Sequence, residues 1–132
     1  MIYVFDTNAV TDLMRAHPGM VARVRAHQRD DILCLCQPVD YEIQRGLLWK
    51  TAAAQQQRYQ SQIKSQFEWL PLTDDDWRQA AQFWAEMRGA GKQLSDVDLL
   101  VAALAKRLNA VIVSNDDDFD ALAVKRESWR EP

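Results

Sequence analysis

The chain has 132 residues, of which 48% are hydrophobic and 27% are charged, and its formal net charge is −3. This size and composition suit one soluble globular domain and leave too little chain for two. No apolar run approaches the roughly 20 residues that a bilayer-spanning helix needs, and no export signal is evident at the N-terminus. We therefore expect a cytoplasmic protein with no membrane partner, folded as one domain over residues 1–132.

The charge is unevenly distributed along the chain. Six acids and two bases lie between Leu94 and Asp120, a local balance of −4. An acidic site on a neutral-to-basic body is compatible with an enzyme that uses carboxylates on an anionic polymer. It does not require one, because most surface charge only interacts with solvent.

The first predicted element is a strand that ends in polar residues. Residues 2–5 are aromatic or β-branched, which is typical of a strand buried on both faces inside a parallel sheet. Asp6, Thr7 and Asn8 follow at once. Because chemistry in open α/β sheets lies beyond the carboxyl ends of the strands, Asp6 is the first candidate site residue. Asp6 has an alternative role as a helix cap, although Asn8 is also available to cap a helix predicted at residues 9–16.

A second helix and a second strand complete the first third of the chain. Pro18 and Gly19 are predicted to break the first helix, and a short helix follows before a strand at residues 32–36. Cys34 and Cys36 lie on that strand. Two residues apart on one face, they are poorly placed for a disulfide, so we interpret them as buried free thiols in a reducing compartment.

The third predicted helix carries the second candidate acid. The helix begins near Pro38, and its buried stripe has the spacing i, i+4, i+8: Val39, Ile43 and Leu47. Glu42 lies on or beside this stripe. A carboxylate there is costly unless it is paired, bound to a ligand or placed at the edge of a cleft. Pairing with Arg45 is the simple alternative to a functional role.

The middle of the chain indicates structure rather than chemistry. Residues 51–67 predict one long polar helix and residues 67–72 a short strand. Thr73 is a predicted N-cap, and the acids that follow it suit the positive end of the next helix dipole, so we assign them no function. The predicted core stripe of that helix is Trp77, Ala80, Ala81, Trp84 and Met87.

The next helix carries the third candidate acid. Ser95 and Asp98 resemble a capping box at its start, and residues 96–108 are almost wholly apolar, so the helix should be buried. Capping is a good alternative explanation for Asp98. Asp96 points about 200° away around the helix and cannot share the direction of Asp98.

The fourth candidate follows the last buried strand, predicted at residues 111–113. Ser114 and Asn115 are followed there by three acids, Asp116, Asp117 and Asp118, and their spacing does not identify which one could bind a ligand. Residues 121–127 predict an edge strand. We expect the tail to residue 132 to be frayed or held by a partner.

The alternation of buried strands and helices predicts a three-layer α/β/α fold. Its mainly parallel sheet of four or five strands has helices on both faces. In this architecture strand carboxyl ends and helix N-termini collect along one edge. Four acids are thereby assigned to the same edge: Asp6, Glu42, Asp98 and Asp116.

Such a group of carboxylates predicts a site for a hard divalent cation. Carboxylates that crowd together repel one another unless a cation holds them, and oxygen ligands favour Mg²⁺ or Mn²⁺ over Zn²⁺. The chain offers no convincing Cys, His or Ser nucleophile. Metal-assisted hydrolysis of a phosphodiester by water is the chemistry that these residues support best.

Four motifs in order resemble those of the PIN domain, specifically the VapC-type toxin ribonucleases. They are Asp6-Thr7-Asn8 after the first strand, Glu42 with Gly46 four residues on, Asp98 ahead of Leu99 to Ala103, and Ser114-Asn115-Asp116 with Asp118-Phe119. The resemblance covers essentially the whole chain. Each motif is weak by itself, but all four in order are specific.

The resemblance implies a function and a set of roles. Asp6, Glu42, Asp98 and Asp116 would be the catalytic metal ligands, with Asp117 or Asp118 as alternatives for the last, and Thr7, Asn8 and Ser114 would support them through hydrogen bonds. The family is typically dimeric, cleaves single-stranded or structured RNA such as tRNA, and is silenced by an antitoxin in the acidic groove. The competing hypothesis is a non-catalytic PIN fold that only binds RNA or a partner protein.

Overall fold

The computed structural model describes residues 1–130, and these form an α/β fold. The strands are β1 (Ile2–Phe5), β2 (Ile32–Leu35), β3 (Glu68–Trp69), β4 (Val111–Val113) and β5 (Lys125–Glu127). The α-helices are α1 (Thr7–Met14), α2 (Pro18–His27), α3 (Gln37–Trp49), α4 (Ala53–Arg58), α5 (Asp74–Gly89) and α6 (Asp96–Leu108). A π-helical segment at Tyr59–Ile63 and 3₁₀ turns at Lys64–Gln66 and Asp117–Ala121 complete the described elements.

The strands form one parallel sheet in the order β3-β2-β1-β4-β5. The predicted α/β/α architecture with a parallel sheet is confirmed. In the register, Val4 lies beside Cys34 of β2 and Ile112 of β4, so β1 runs through the centre. The carboxyl ends of β1 and β4 are therefore adjacent. This pairing brings the residues after Phe5 next to those after Val113.

Helices cover both faces of the sheet, and an aromatic cluster fills one of them. Tyr3 and Phe5 are two residues apart on β1, so their side chains lie on the same face of the sheet. Both rings pack against Trp129, with centroid distances of 5.0 Å for Tyr3 and 5.3 Å for Phe5. His27 of α2 stacks on Trp129 at 4.7 Å. Helix α6 packs against β1 and against α5 and α3. Cys34 and Cys36 are buried free thiols, as predicted.

The first helix begins earlier than the sequence suggested. Asp6, not Asn8, is its N-cap, and Asn8 is an exposed residue inside the first turn. Pro18 does not end this helix but occupies the first turn of α2, where its fixed φ and missing N–H are tolerated. The break itself falls at Ala16, whose φ of 55° lies in the left-handed region.

The single helix predicted over residues 51–67 is wrong. Thr51 has a φ of 48°, which ends the preceding helix and delays the next to Ala53. The segment then widens into a π-helix that buries Tyr59 and Ile63. The Tyr59 hydroxyl donates to Asp40 at 2.6 Å. A tertiary contact of this kind overrides the local preference for a regular helix.

The predicted core stripe of α5 is also wrong in part. Trp77 and Trp84 are 58% and 47% exposed, respectively. The buried side of the helix instead consists of Asp76, Ala80, Phe83 and Met87. Asp76 determines which side of α5 faces the core. Its carboxylate completes the capping box with Thr73 and accepts a hydrogen bond of 2.8 Å from Arg107 of α6.

The segment after β5 is ordered by contacts rather than frayed. Trp129 is fully buried, and Arg130 pairs with Asp12. The part of the predicted frayed tail at residues 131–132 lies outside the described residues. Within residues 1–130, no helix combines the length and the apolar character needed to cross a membrane.

Candidate functional site

Asp6 lies at the centre of the candidate site. Its residue is only 2% exposed, and its Oδ1 accepts a hydrogen bond of 2.8 Å from the Ala9 N–H, which fixes the carboxylate at the N-terminus of α1. Burial raises the pKa of Asp6 to about 6; hydrogen bonds from Ser114 and Ala9 oppose that rise, while the charges of Asp116 and Asp12 add to it. A buried carboxylate beside other acids is costly to ionise without a cation.

Asp98 enters the site from the first turn of α6. Ser95 caps this helix by accepting a hydrogen bond of 3.1 Å from the Asp98 N–H. At the start of α5, by contrast, the Asp76 carboxylate also returns to the backbone N–H of Thr73. Among the described contacts, Asp98 makes no such return bond. Its carboxylate is thus available to the site, and the capping box predicted from the sequence is formed only in half.

The charges of the other candidate acids act on Asp98. Its pKa is raised to about 6, first by burial and then by the negative charges of Asp6, Glu42 and Asp116, while a hydrogen bond from Ser95 opposes the rise. Asp98 therefore senses the other three sequence-predicted carboxylates. These come from three further places in the fold: the end of β1, the second turn of α3 and the loop after β4.

Asp116 is held in place by its own loop. Its Oδ1 accepts from the Asp118 N–H at 2.9 Å, and its N–H donates to Ser114 Oγ at 2.9 Å. Carboxylate oxygens of Asp116, Asp117 and Asp118 lie within 4.8 Å of one another, and Asp117 is exposed. Asp116 is the acid of this run whose charge raises the pKa of both Asp6 and Asp98. This favours it over its neighbours as the fourth member.

Glu42 occupies the edge of the site. Its side chain is 25% exposed, and Arg45 approaches its Oε2 with Nη2 at 3.5 Å, the long limit of a hydrogen bond. The Glu42–Arg45 ion pair considered in the sequence analysis is therefore present, but its distance is long. An ion pair of this length on one helix face contributes little to stability, so the Glu42 carboxylate remains able to bind a cation.

The three predicted supporting residues have different environments. Ser114 is buried, its Oγ accepts a hydrogen bond from the backbone N–H of Asp116, and its side chain lowers the pKa of Asp6, so it interacts with the residues that follow both β1 and β4. Thr7 has a buried hydroxyl for which residues 1–130 provide no hydrogen-bond partner. Asn8 is exposed. The geometry gives Ser114 a clear supporting contact, and it gives none to Asn8 within the described range.

Sequence reasoning missed Asp12, a second buried acid on α1. Asp12 is 4% exposed, accepts from Asn115 at 3.3 Å, pairs with Arg130, and raises the pKa of Asp6. Ser128 in turn donates to Asn115. A polar residue among the buried positions of α1 was the available signal. Its partners lie too far along the chain for any local pattern to reveal them.

The donor set fits a hard divalent cation. It consists of carboxylate oxygens, which Mg²⁺ and Mn²⁺ prefer. In the described part of the chain, Asp6, Asp98 and Asp116 form no ion pair, although Asp6 is buried and the other two are half-buried. A cation would relieve the repulsion that raises the pKa of Asp6 and Asp98.

Comparison with known proteins places this arrangement in a family context. The PIN domain matches residues 3–125. Ribonuclease VapC11 of Mycobacterium tuberculosis and VapC ribonuclease Mb1587 of Mycobacterium bovis are each 32% identical over 126 residues, covering 91% of this chain and 90% of the relative.

Solved structures share the fold at lower identity. VapBC2 from Rickettsia felis, bound to a DNA fragment from its promoter, has a TM-score of 0.88 and 22% identity, with 98% of this chain and 99% of that one covered. FitAcB from Neisseria gonorrhoeae has a TM-score of 0.83 and 22% identity over the whole of both chains. These similarities bear on the fold alone.

Proposed function

This chain belongs to the PIN domain family, with VapC-type ribonucleases among its relatives, and from that membership we propose that it is a metal-dependent endoribonuclease. It hydrolyses phosphodiester bonds of RNA and acts as the toxin of a type II toxin–antitoxin pair. Structured RNA such as tRNA is the proposed target, and cleavage of that RNA would inhibit translation.

One observation supports this proposal above the others. Asp98 senses the charges of Asp6, Glu42 and Asp116, and burial together with this repulsion raises its pKa to about 6. Asp6, Asp98 and Asp116 form no ion pair within residues 1–130, and this favours a bound cation over a structural role for these acids. A structural acid would have acquired a partner, as Asp76 has in Arg107.

Asp6, Glu42, Asp98 and Asp116 are the proposed ligands. A bound Mg²⁺ or Mn²⁺ would stabilise negative charge on the phosphodiester and promote ionisation of an attacking water. Backbone hydrogen bonds orient two of these carboxylates without a bound cation. The Ala9 N–H orients Asp6, and the Asp118 N–H orients Asp116. Ser114 accepts a hydrogen bond from the backbone N–H of Asp116 and lowers the pKa of Asp6, which favours the ionised form of Asp6 that would bind a cation.

The direct test is RNA cleavage by the purified protein with Mn²⁺ or Mg²⁺. We expect cleavage that stops with EDTA, and a loss of more than about 100-fold in Asp6→Asn and Asp98→Asn, since outer-shell changes alone cost 10–100-fold. Asp96→Asn is the matched control, because Asp96 is an exposed acid in the same helical turn as Asp98. Cleavage that persists in Asp6→Asn would remove the metal mechanism.

The alternative, a PIN fold that only binds RNA or a partner, predicts the opposite pattern. RNA or antitoxin would bind, but no cleavage would appear with either metal. Toxicity on expression would then survive Asp6→Asn. An incomplete acid set would favour this alternative, whereas the set here contains all four acids.

We further propose two protein partners, an antitoxin and a second copy of this chain. The exposed rings of Trp77 and Trp84 on α5, near Leu99 and Leu100 of α6, give the surface an apolar character that favours protein contact. Light scattering on the purified chain tests the dimer, and co-expression with the antitoxin tests the silencing. A monomer at high concentration would contradict the dimer without affecting the ribonuclease proposal.

A further inference from the structure

A cavity lies beside the candidate carboxylates. It has a volume of about 450 Å³ and lies between α1, α3 and α4. Thr7, the neighbour of Asp6, and Glu42 both line it, so the cavity is continuous with the candidate metal site. It has room for a ligand of about the size of a nucleotide, since small-molecule pockets begin at about 300 Å³.

Three cations from three different elements surround this cavity. Arg15 follows α1, Lys50 follows α3, and Arg58 ends α4. All three are exposed, and none forms an ion pair within residues 1–130. Some other basic residues, such as Arg107 and Arg126, are paired with carboxylates. A cation near a helix C-terminus is also favoured by the dipole, but that effect does not explain why three converge on one cavity.

Part of the cavity lining is apolar. Met14, Ile43 and Leu47 contribute this apolar surface, and Thr11 and Gln55 add neutral polar groups. Ile43 is buried, while Met14 and Leu47 are half-buried. A lining that combines apolar side chains with exposed cations suits a nucleotide, which combines a flat base with a charged phosphate. The one acid that lines the cavity, Glu42, has Arg45 beside it.

Gly46 leaves open space beside helix α3. It lies inside α3 and lines the cavity, and a Cβ built on it would meet no atom within 4 Å. Glycine inside a helix costs about 0.5–1 kcal/mol relative to alanine. No neighbour in the described protein requires its small size. Its effect is to keep the space above the α3 backbone open to a ligand.

We propose that this cavity binds a nucleotide of single-stranded RNA adjacent to the scissile phosphate. The base rests on Met14, Ile43 and Leu47, and the flanking phosphates contact Arg15, Lys50 and Arg58. Gly46 leaves room for the ribose near the helix backbone. The inference rests on the proposed ribonuclease function and specifies where its substrate strand runs.

The first test measures RNA binding rather than cleavage. Asp6→Asn serves as the background so that the RNA stays intact, and a short fluorescent single-stranded RNA is titrated by anisotropy at several salt concentrations. Lys50→Ala with Arg58→Ala should weaken binding at least about tenfold and reduce the salt slope by about 1.4, at about 0.7 per phosphate contact. Arg25→Ala with Arg29→Ala, which removes two exposed arginines of the α2 region, should leave both values unchanged.

The second test fills the cavity without changing charge. Gly46→Leu places a side chain in the open space, so we expect RNA binding about tenfold weaker with no fall in melting temperature. Gly89→Leu is the matched control, because Gly89 ends α5 and also has no atom within 4 Å of a built Cβ. That control should bind RNA like the parent protein.

The outcomes separate this inference from the proposed function. Equal RNA binding in the cavity variants and their controls overturns the inference, even if Mn²⁺-dependent cleavage occurs and is lost in Asp6→Asn. Weaker antitoxin binding with unchanged RNA binding also overturns it and assigns the cavity to the protein partner. If the parent protein cleaves no RNA, the proposed function fails, while the binding comparison still decides the role of the cavity.

Discussion

Arg130 donates two hydrogen bonds to Asp12, from Nε to Oδ2 at 2.8 Å and from Nη2 to Oδ1 at 2.9 Å. The paired geometry holds the segment after β5 against α1, one helical turn and a half beyond Asp6. The Arg130 guanidinium keeps the pKa of Asp12 below its usual range. The segment after β5 is thus joined to α1 next to the candidate site.

We expect Arg130→Gln to lower the melting temperature, because within residues 1–130 it leaves the buried Asp12 carboxylate with the Asn115 amide as its one hydrogen-bond partner. Arg130→Lys should recover part of the loss, since it keeps the charge but not the paired geometry. Thermal unfolding with Asp12→Asn added completes the cycle. Additive effects of the two changes would contradict a direct interaction.

Gly19 lies against the backbone of the segment after β5. A Cβ at this position would meet the backbone oxygen of Arg130 at 2.6 Å and that of Trp129 at 3.0 Å. Backbone atoms cannot move aside as a side chain can, so Gly19→Ala should cost about 1–3 kcal/mol of the free energy of unfolding. Urea denaturation measures this cost. Gly46→Ala, placed in open space, should be neutral or stabilising, and a loss there equal to that of Gly19→Ala would refute the steric explanation.

The metal-free protein should lose stability as the pH rises through about 6. Burial first, and then neighbouring charges, raise the pKa of Asp6 and Asp98 from 3.8 to about 6. The folded state therefore holds more protons than the unfolded chain in this interval, and the free energy of unfolding falls with increasing pH. In EDTA the melting temperature should be higher at about pH 5.5 than at about pH 7.5.

Two controls accompany the pH measurement. Asp98→Asn should flatten the dependence, whereas Asp96→Asn should retain it. Mn²⁺ should raise the melting temperature more at the higher pH, where the carboxylates are ionised and able to bind it. A metal-free protein that gains stability steadily from about pH 5.5 to 7.5 would show that Asp6 and Asp98 are not in the environment described.

The thiols should be inert in the folded protein. Burial raises the pKa of Cys34 to about 12 and of Cys36 to about 11, with smaller contributions from nearby acids. Since the thiolate is the reactive form, iodoacetamide at neutral pH should label neither cysteine until the protein is unfolded. Mass spectrometry of native and denatured samples checks this. Rapid labelling of the native protein would indicate local opening of β2.

Local patterns predicted much of the fold. Residues 96–108 and 111–113 were predicted with the bounds that α6 and β4 have, because a run of buried apolar residues between a Ser cap and Asn109 leaves little alternative. Asn109 ends the helix with a φ of 51°, a conformation that asparagine adopts readily. The topology rule then assigned the four acids to one edge of the sheet without any knowledge of distances.

Tertiary partners explain what the sequence did not reveal. Trp77 and Trp84 have the spacing of a core stripe, but the Asp76–Arg107 pair rotates α5 so that Phe83 is buried instead. Tyr59 similarly distorts its helix to reach Asp40. Each of these contacts joins residues that are far apart in the chain, where periodicity carries no information.

The parallel order of the sheet has a consequence during protein synthesis. Strand β1 is the first of the five strands to be synthesised, whereas its neighbour β4 is the fourth, and the loop that carries Asp116 follows β4. The four acids cannot meet on a nascent chain before that point. The candidate site can therefore assemble only after four of the five strands have been synthesised.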